Sequence, residues 1–292
     1  MDAHEPHVTA FFDEATSSLS YMVADPASKH ALVVDPVLDF DAKSGRLGSA
    51  SVDRLAKALA GKTVDWIVDT HPHADHLSGS AVLQSRVGGR TAIGAGVAEV
   101  QKHWAARFEF EPEFRCDGSQ FDRLLRDGDV IEIGGLRATS RDTPGHTPAC
   151  TSLLVEGASG RIHAFVGDVL FMPDSGTART DFPGGSAQTL YRSIRKLLDL
   201  PGDTLIYTAH DYQPGGRALA YCASVAEQRA GNIHVKDGVG ADAFVALREA
   251  RDRTLDTPNL LLPAIQINIR GGRLPPASAN GNRFLKLPVA SP

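Results

Sequence analysis

Seven side chains of the kinds that bind metal ions lie on four short segments of this 292-residue chain. Four of the seven fall within six residues, in the sequence Thr-His-Pro-His-Ala-Asp-His at 70–76. Neutral imidazole and carboxylate groups are common ligands of zinc and iron in proteins. The full set is His71, His73, Asp75, His76, His146, Asp168 and His210. A surface loop without function has little reason to hold so many such groups, so the pattern predicts a metalloenzyme.

Three of the four segments follow short apolar runs that are typical of buried strands. His71, Asp168 and His210 each come one to three residues after such a run. His146 lies between two further runs, in Asp-Thr-Pro-Gly-His-Thr-Pro at 142–148. Ligand sites in α/β proteins collect on loops beyond the carboxyl ends of strands. We therefore expect the four segments to meet at one edge of a sheet.

Strand and helix patterns alternate along most of the chain. The predicted strands are 20–23, 31–35, 64–68, 91–93, 130–133, 136–140, 152–155, 162–166 and 204–207, and the predicted helices are 52–59, 77–87, 97–104, 186–198, 218–230 and 240–255. Residues 105–128 lack a clean periodicity and are predicted to be a surface excursion, and a Pro- and Gly-rich tail ends the chain. This order predicts a layered α/β protein with mixed sheets.

The composition excludes several classes of function. The net charge of −5, without a basic block, argues against a nucleic-acid partner. No apolar run approaches the roughly 20 residues of a membrane helix. The polar start of the chain lacks a signal-peptide pattern, and its three cysteines form no Cys-x-x-Cys pair. We expect a cytoplasmic protein with reduced cysteines and no membrane partner.

The metal-ligand segments resemble those of the metallo-β-lactamase superfamily. The resemblance covers residues 8–230 and is carried by His-x-His-x-Asp-His at 71–76, Gly-His at 145–146, Gly-Asp at 167–168 and Ala-His-Asp at 209–211. It implies an αββα sandwich with the site at one edge. The implied division is a catalytic domain at 1–230 and a C-terminal extension at 231–292 packed on it.

Within that superfamily the chain is most similar to the persulfide dioxygenases. The similarity rests on Gly-Thr-Ala-Arg-Thr-Asp-Phe at 176–182 and Ile-Tyr-Thr-Ala-His-Asp-Tyr at 206–212, and Asn-Ile-Arg-Gly-Gly at 268–272 resembles one bacterial subgroup. It implies one Fe(II) per chain and oxidation of glutathione persulfide by O2 to sulfite and glutathione. The implied iron ligands are His71, His146 and Asp168. The other four candidates would then surround the iron without binding it.

A second resemblance, to glyoxalase II, keeps another function open. That family implies a dinuclear zinc site with seven ligands, and all seven residue types are present here. Two ions sharing a hydroxide would hydrolyse a thioester without consuming O2. The ligand set alone therefore leaves one metal or two open, while the surrounding segments favour the dioxygenase. The complete set argues against a metal-binding relative that has lost catalysis.

A glutathione-based substrate carries two carboxylates, so its site needs cations. Arginine binds carboxylates well, and the candidates are Arg179, Arg217 and Arg270. Arg179 alternatively forms a structural ion pair with Asp181 or Asp142. Tyr212 is a candidate hydrogen-bond donor to the substrate. The tail at 263–292 is free to pack on its own chain or on a second copy, so a homodimer also stays open.

Overall fold

Two six-stranded β-sheets face each other in the computed structural model, which describes residues 5–289. The strands are β1 (His7–Asp13), β2 (Ser18–Ala24), β3 (His30–Val34), β4 (Val37–Leu38), β5 (Phe40–Asp41), β6 (Arg46–Leu47), β7 (Thr63–Asp69), β8 (Leu77–Ser78), β9 (Arg90–Gly94), β10 (Arg123–Leu125), β11 (Val130–Ile133), β12 (Leu136–Asp142), β13 (Thr151–Glu156), β14 (Ile162–Phe165), β15 (Leu205–Tyr207) and β16 (Cys222–Ser224). The helices are α1 (Ala50–Ala58), α2 (Ser80–Val87), α3 (Val97–Phe108), α4 (Ala187–Leu198), α5 (Val225–Gly231), α6 (Ala241–Asp252) and α7 (Leu261–Asn268), and a 3-10 turn covers Pro214–Gly216.

Both sheets mix parallel and antiparallel pairs. The first sheet has the order β1-β2-β3-β7-β9-β10, in which β3, β7, β9 and β10 run parallel to one another and the pairs β1-β2 and β2-β3 are antiparallel. The second sheet has the order β11-β12-β13-β14-β15-β16, and only the pair β14 and β15 is parallel. Two further sheets have only two strands each, β4 with β8 and β5 with β6.

Period-two alternation explains how both faces of a sheet are buried. On β2, Leu19, Tyr21 and Val23 belong to the core between the sheets, whereas Met22 belongs to the core beneath the helices α1, α2 and α7. Successive side chains of a strand point to opposite faces, so a strand covered on both sides is apolar throughout. A third core packs α4, α5 and α6 on the second sheet. The predicted αββα sandwich is confirmed.

Most of the predicted elements are confirmed, and four predictions need correction. The segment predicted as a helix at 77–87 begins with the strand β8, and only 80–87 is helical. The helix predicted at 218–230 begins at 225, after the strand β16. Both strands are too short to show a period, and each pairs with a partner distant in sequence.

The other two corrections concern segments without clear periodicity. The predicted surface excursion at 105–128 contributes Phe108, Phe121 and Leu125 to buried cores. The Pro- and Gly-rich tail contains α7, in which Ala264 and Ile267 are fully buried. An apolar helix covered on several sides shows no polar face, so the amphipathic pattern is missing from its sequence.

The C-terminal helices pack directly on the sandwich. Phe244 of α6 contacts the ring of Tyr191 on α4, and α7 packs beside β8. The division into two domains at residue 230 and the homodimer stay predictions. Residues 1–4 of the first predicted domain and 290–292 of the second lie outside the described residues. No helix in the described part of the chain has the length and apolar character to cross a membrane.

We expect Ile267→Ala to lower the free energy of unfolding by about 2–5 kcal/mol, because it removes a fully buried side chain and leaves a cavity. Chemical denaturation followed by circular dichroism measures the effect. Ile233→Ala is the matched control, since Ile233 is 55% exposed and its loss should change stability by less than about 0.5 kcal/mol. Equal effects of the two variants would show that α7 is not part of the core.

Candidate metal centre

Three of the predicted ligands converge at the edge of the two sheets. His71, His146 and Asp168 each offer a ligand atom, and these atoms all lie within 4.8 Å of one another. The Nε2 atoms of His71 and His146 lie 3.8 Å and 3.6 Å from Oδ2 of Asp168. All three residues are buried. They come from the loops after β7 and β14 and from the loop between β12 and β13, as the sequence predicts.

Backbone carbonyl groups fix the orientation of several imidazoles. Nδ1 of His146 contacts the carbonyl oxygen of Arg179 at 2.8 Å, and Nδ1 of His210 contacts that of Ser17 at 3.1 Å. A carbonyl oxygen only accepts, so Nδ1 carries the proton and donates it. In the neutral ring, Nε2 then keeps its lone pair. Such a bond to the remote nitrogen is the usual way in which proteins orient histidine ligands.

His71 is oriented through a hydroxyl and a carboxylate. Oγ1 of Thr70 lies 2.9 Å from Oδ2 of Asp35 and 3.1 Å from Nδ1 of His71. Because the carboxylate only accepts, the hydroxyl donates to Asp35 and accepts from Nδ1–H of His71. Burial and the neighbouring imidazoles, first that of His73, lower the pKa of His71 well below its ordinary value. The ring is therefore neutral, with the lone pair of Nε2 free.

His73 has the opposite arrangement. Its Nε2 lies 2.9 Å from Oδ1 of Asp35, and its buried Nδ1 has no hydrogen-bond partner in the part of the chain that the structure describes. Burial opposes the charged imidazolium, but Asp35 and Asp75 outweigh that effect and raise the pKa of His73 to about 9. His73 is not part of the group formed by His71, His146 and Asp168; it groups with Asp75 and His76 instead.

Unsatisfied polar atoms indicate that the centre fits a metal ion. Three buried atoms have no hydrogen-bond partner within residues 5–289: Nε2 of His71, Oδ1 of Asp168 and Nε2 of His210. Leaving such an atom unpaired costs about 1–3 kcal/mol, and the cost is larger for charged groups. A bound cation would satisfy these lone pairs, and neutral imidazole with carboxylate is a donor set suited to zinc or iron. The cluster therefore supports a metal cofactor.

A second set of candidate ligands lies directly beside the first. Nε2 of His210 is 3.3 Å from Oδ2 of Asp75 and 3.4 Å from Oδ1 of Asp168. His76 is buried with Nδ1 bound to the carbonyl oxygen of Leu77, and burial together with His73 lowers the pKa of His76 to about 4. The structure thus brings all seven predicted residues together. Which of them bind the metal stays a prediction.

A cavity of about 380 Å³ opens onto the centre. Asp75, His146 and Asp168 line it on the metal side, and Phe171 and Phe182 provide apolar wall. A volume of this size suits a small-molecule ligand. The cavity gives a substrate direct access to the ligand cluster.

Two of the predicted substrate-binding residues line this cavity. Tyr212 is 56% exposed and stacks on His210, with ring centroids 5.6 Å apart. Arg179 also lines the cavity, but its guanidinium group binds both carboxylate oxygens of Asp181 and the carbonyl oxygen of Asp256. The ion pair with Asp181, which the sequence offered as an alternative, is present. Substrate binding by Arg179 and Tyr212 stays a prediction.

The other two predicted substrate-binding residues lie away from the cavity lining. Arg217 binds the carboxylates of Asp174 and Asp211. Arg270 binds Glu111 through two nitrogens and lies over the rings of Phe110 and Phe114. Both guanidinium groups already have carboxylate partners, so the geometry gives no support to their predicted role. The sequence could not show the pairs with Asp174 and Glu111, because these carboxylates come from distant segments.

Sequence reasoning missed two residues that hold the histidine loop. Asp35 binds Thr70 and His73, as described above. Asn268 of α7 donates from Nδ2 to the carbonyl oxygens of His73 and His76, each at 2.8 Å, and its Oδ1 accepts from the backbone N–H of Ser78. The position of Asp35 at the end of an apolar run was the available signal. Asn268 opens the Asn-Ile-Arg-Gly-Gly segment, whose role the sequence left unexplained.

The family model of the metallo-beta-lactamase superfamily matches residues 14–210, which include all seven candidate ligands. The chain belongs to the metallo-beta-lactamase superfamily. A probable metallo-hydrolase of Burkholderia pseudomallei is 51% identical over 97% of this chain and 98% of that protein. A beta-lactamase hydrolase-like protein of Agrobacterium fabrum is 50% identical over 97% of this chain, which spans only 65% of that protein's length.

Persulfide dioxygenases are among the relatives of this superfamily member. The human mitochondrial persulfide dioxygenase ETHE1 is 35% identical over 69% of this chain and 66% of its own length. The crystal structure of ETHE1 from Myxococcus xanthus matches with a TM-score of 0.71 and 28% identity, covering 91% of this chain and 100% of that chain. The relatives carry hydrolase and dioxygenase names, so membership of the superfamily leaves the reaction open.

We expect Asn268→Ala to weaken metal binding by about 10–100-fold, the usual effect of losing a group that orients the ligands. The substitution removes the hydrogen bonds to the carbonyl groups of His73 and His76. The loop that carries His71 should therefore become less rigid. Competition with a chromogenic chelator measures the affinity. Asn259→Ala is the control, because Asn259 is exposed. Unchanged affinity in a folded Asn268→Ala variant would contradict a positioning role.

Proposed function

We propose that this protein is an iron-dependent persulfide dioxygenase that oxidises glutathione persulfide with O2 to sulfite and glutathione. The observation that supports it best is the separate group of two histidines and one aspartate, His71, His146 and Asp168. Two histidines and one carboxylate on one face form the facial triad of non-haem iron oxygenases. Fe(II) held in this set would supply O2 activation next to a sulfur donor. The similarity to ETHE1 from human and Myxococcus xanthus supports the same function.

The protein's own groups would prepare this reaction in two ways. The carbonyl oxygen of Arg179 orients the ring of His146, and the hydroxyl of Thr70 orients the ring of His71. In both rings Nε2 is then the nitrogen that faces Asp168. Phe171 and Phe182 give the adjoining cavity an apolar wall that disfavours water near the reacting sulfur. In the balanced reaction the sulfur–sulfur bond breaks, the terminal sulfur is oxidised, O2 is reduced and one water is consumed.

A dinuclear zinc thioester hydrolase is the second candidate. One observation favours it: Nε2 of His210 has no hydrogen-bond partner among residues 5–289 and lies 3.3 Å and 3.4 Å from carboxylate oxygens of Asp75 and Asp168. Nδ1 of His73, buried without a partner in the described part of the chain, would add a further ligand atom once the imidazolium has lost its proton. Two zinc ions would lower the pKa of a shared water for attack on a thioester carbonyl. The two relatives described above that are 51% and 50% identical to this chain carry hydrolase names, which agrees with this candidate.

Oxygen consumption separates the two functions. We expect protein loaded with Fe(II) under anaerobic conditions to take up O2 when given glutathione persulfide, with one sulfite formed per O2. An oxygen electrode and a sulfite assay measure the two quantities. Absence of uptake, together with hydrolysis of S-lactoylglutathione by the zinc-loaded protein, would establish the hydrolase instead. His103→Ala is the control variant, since His103 is exposed and remote from the cavity lining.

Metal stoichiometry gives an independent test of the ligand set. We expect His71→Ala and His146→Ala to lose most of the bound iron, because each removes one of three ligands. His73→Ala should keep close to the wild-type iron content, since His73 binds Asp35 and lies outside the group of three. Inductively coupled plasma mass spectrometry after gel filtration measures metal per chain. Loss of one of two ions in His73→Ala would support the dinuclear site.

A further inference from the structure

A second, much smaller cavity of about 20 Å³ adjoins the cavity at the metal centre, and we call it the side cavity. Ala74 and Phe182 line both spaces, so the two are neighbours. The ring of Phe182 contacts that of His146 edge to face, with centroids 5.2 Å apart. The residues that directly follow His71 and His146 in the chain also line the side cavity. It therefore lies beside two of the candidate metal ligands.

The lining of the side cavity is almost wholly apolar. Val100 and Trp104 of α3 and Leu261 and Ile265 of α7 form much of its wall. Val100, Trp104 and Ile265 are buried, whereas Leu261 is half-buried. None of the described residues that line this space is charged. The side cavity is therefore an apolar space held between two helices and the loops that carry the histidines.

Water finds few hydrogen-bond partners in the side cavity. A buried water usually makes about three hydrogen bonds to the polar groups around it. Among the described residues of the lining, only Thr147 and Trp104 have polar side-chain atoms. The hydroxyl of Thr147 already accepts from the backbone N–H of Ala149 at 3.2 Å and lies 3.2 Å from Sγ of Cys150. A space of this kind stays dry and takes up small apolar molecules instead.

The volume of the side cavity restricts its occupant to a very small molecule. About 20 Å³ is room for one molecule of roughly the size of water, whereas a thiol derivative needs the larger cavity of about 380 Å³. Transfer of a small apolar molecule from water into apolar surroundings is favourable. We propose that the side cavity binds O2 beside the metal centre, apart from the thiol derivative. The inference rests on the proposed function, in which O2 is a reactant.

Separate spaces allow both reactants to be present at the same time. The small side chain of Ala74 and the half-buried ring of Phe182 are common to the two linings. O2 in the side cavity lies next to the metal centre while the thiol derivative fills the larger cavity. Two reactants that are held together react without a further diffusive encounter.

O2 is paramagnetic, so its binding can be measured by nuclear magnetic resonance without turnover. The sample is the full-length protein, loaded with zinc and labelled at its methyl groups, and proton relaxation is compared under nitrogen and under O2 pressure. We expect the methyl groups of Ala74, Val100 and Ile265 to relax several-fold faster under O2. Those of Ile194, in the core beneath α4, should change little. Equal enhancement at the two sets of methyl groups would overturn the proposal.

Val100→Ile adds one methylene to the lining and should remove most of the enhancement at Ile265. Val97→Ile is the matched control, because Val97 lies on the same helix and in the same core but does not line the side cavity. It adds the same group at a similar packing cost and should keep the enhancement. Leu261→Phe fills the space from its half-buried side and gives the same test if Val100→Ile is unstable. An equally large loss in Val97→Ile would contradict the proposal, because it would reflect altered core packing.

The dependence of turnover on O2 separates this proposal from the proposed function. With iron-loaded protein and saturating glutathione persulfide, we expect Val100→Ile to lower kcat/KM for O2 about fivefold and to leave KM for the persulfide unchanged. O2 uptake with the same O2 dependence in wild type, Val100→Ile and Leu261→Phe would overturn the role of the side cavity and leave the dioxygenase intact. Selective relaxation at the side cavity in a protein that consumes no O2 would support O2 binding there and reject the dioxygenase.

Discussion

The carboxylate of Asp35 fixes the loop on which the rest of the metal centre depends. It accepts the backbone N–H of Thr70 at 2.7 Å, the hydroxyl of Thr70 at 2.9 Å and Nε2 of His73 at 2.9 Å. Asp35 is buried at the end of β3, and a buried carboxylate is tolerated only when donors compensate its desolvation. Its backbone lies in the left-handed region, with φ of 50°, which costs about 1–3 kcal/mol for a residue other than glycine. The same three donors that stabilise the carboxylate also set the orientations of His71 and His73.

The opposite orientations of these two imidazoles follow from that one group. Asp35 reaches His71 through the hydroxyl of Thr70 and leaves its Nε2 free toward Asp168, whereas it binds Nε2 of His73 directly. Asn268 closes the loop from the other side by binding two of its carbonyl oxygens. The helix that carries Asn268 is buried in the core beneath the first sheet. The C-terminal segment therefore contributes to the metal centre as well as to the cavity wall.

The sequence predicted the elements whose side chains repeat with a clear period. The helix α4 places Leu190, Ile194 and Leu197 on one buried face. The strands β7 and β14 are mostly apolar and end two and three residues before His71 and Asp168. The sequence missed β8 and β16, which are two and three residues long and exist because a distant segment offers a hydrogen-bonding edge. It also missed α7, whose burial on several sides removes the polar face that marks a helix.

The sequence by itself predicted a layered α/β protein and the seven residues that meet at the metal centre, because residue type, spacing and strand ends are local properties of the chain. Its resemblance to known families added the superfamily and the sandwich. Only the tertiary structure decided which nitrogen of His73, His146 and His210 is bound, since the partners of these rings come from other segments. It also decided that Arg217 and Arg270 are held by carboxylates and lie outside the cavity lining. Whether an arginine is available to a ligand depends on the carboxylates that folding brings within reach, and the order of residues along the chain does not contain those distances.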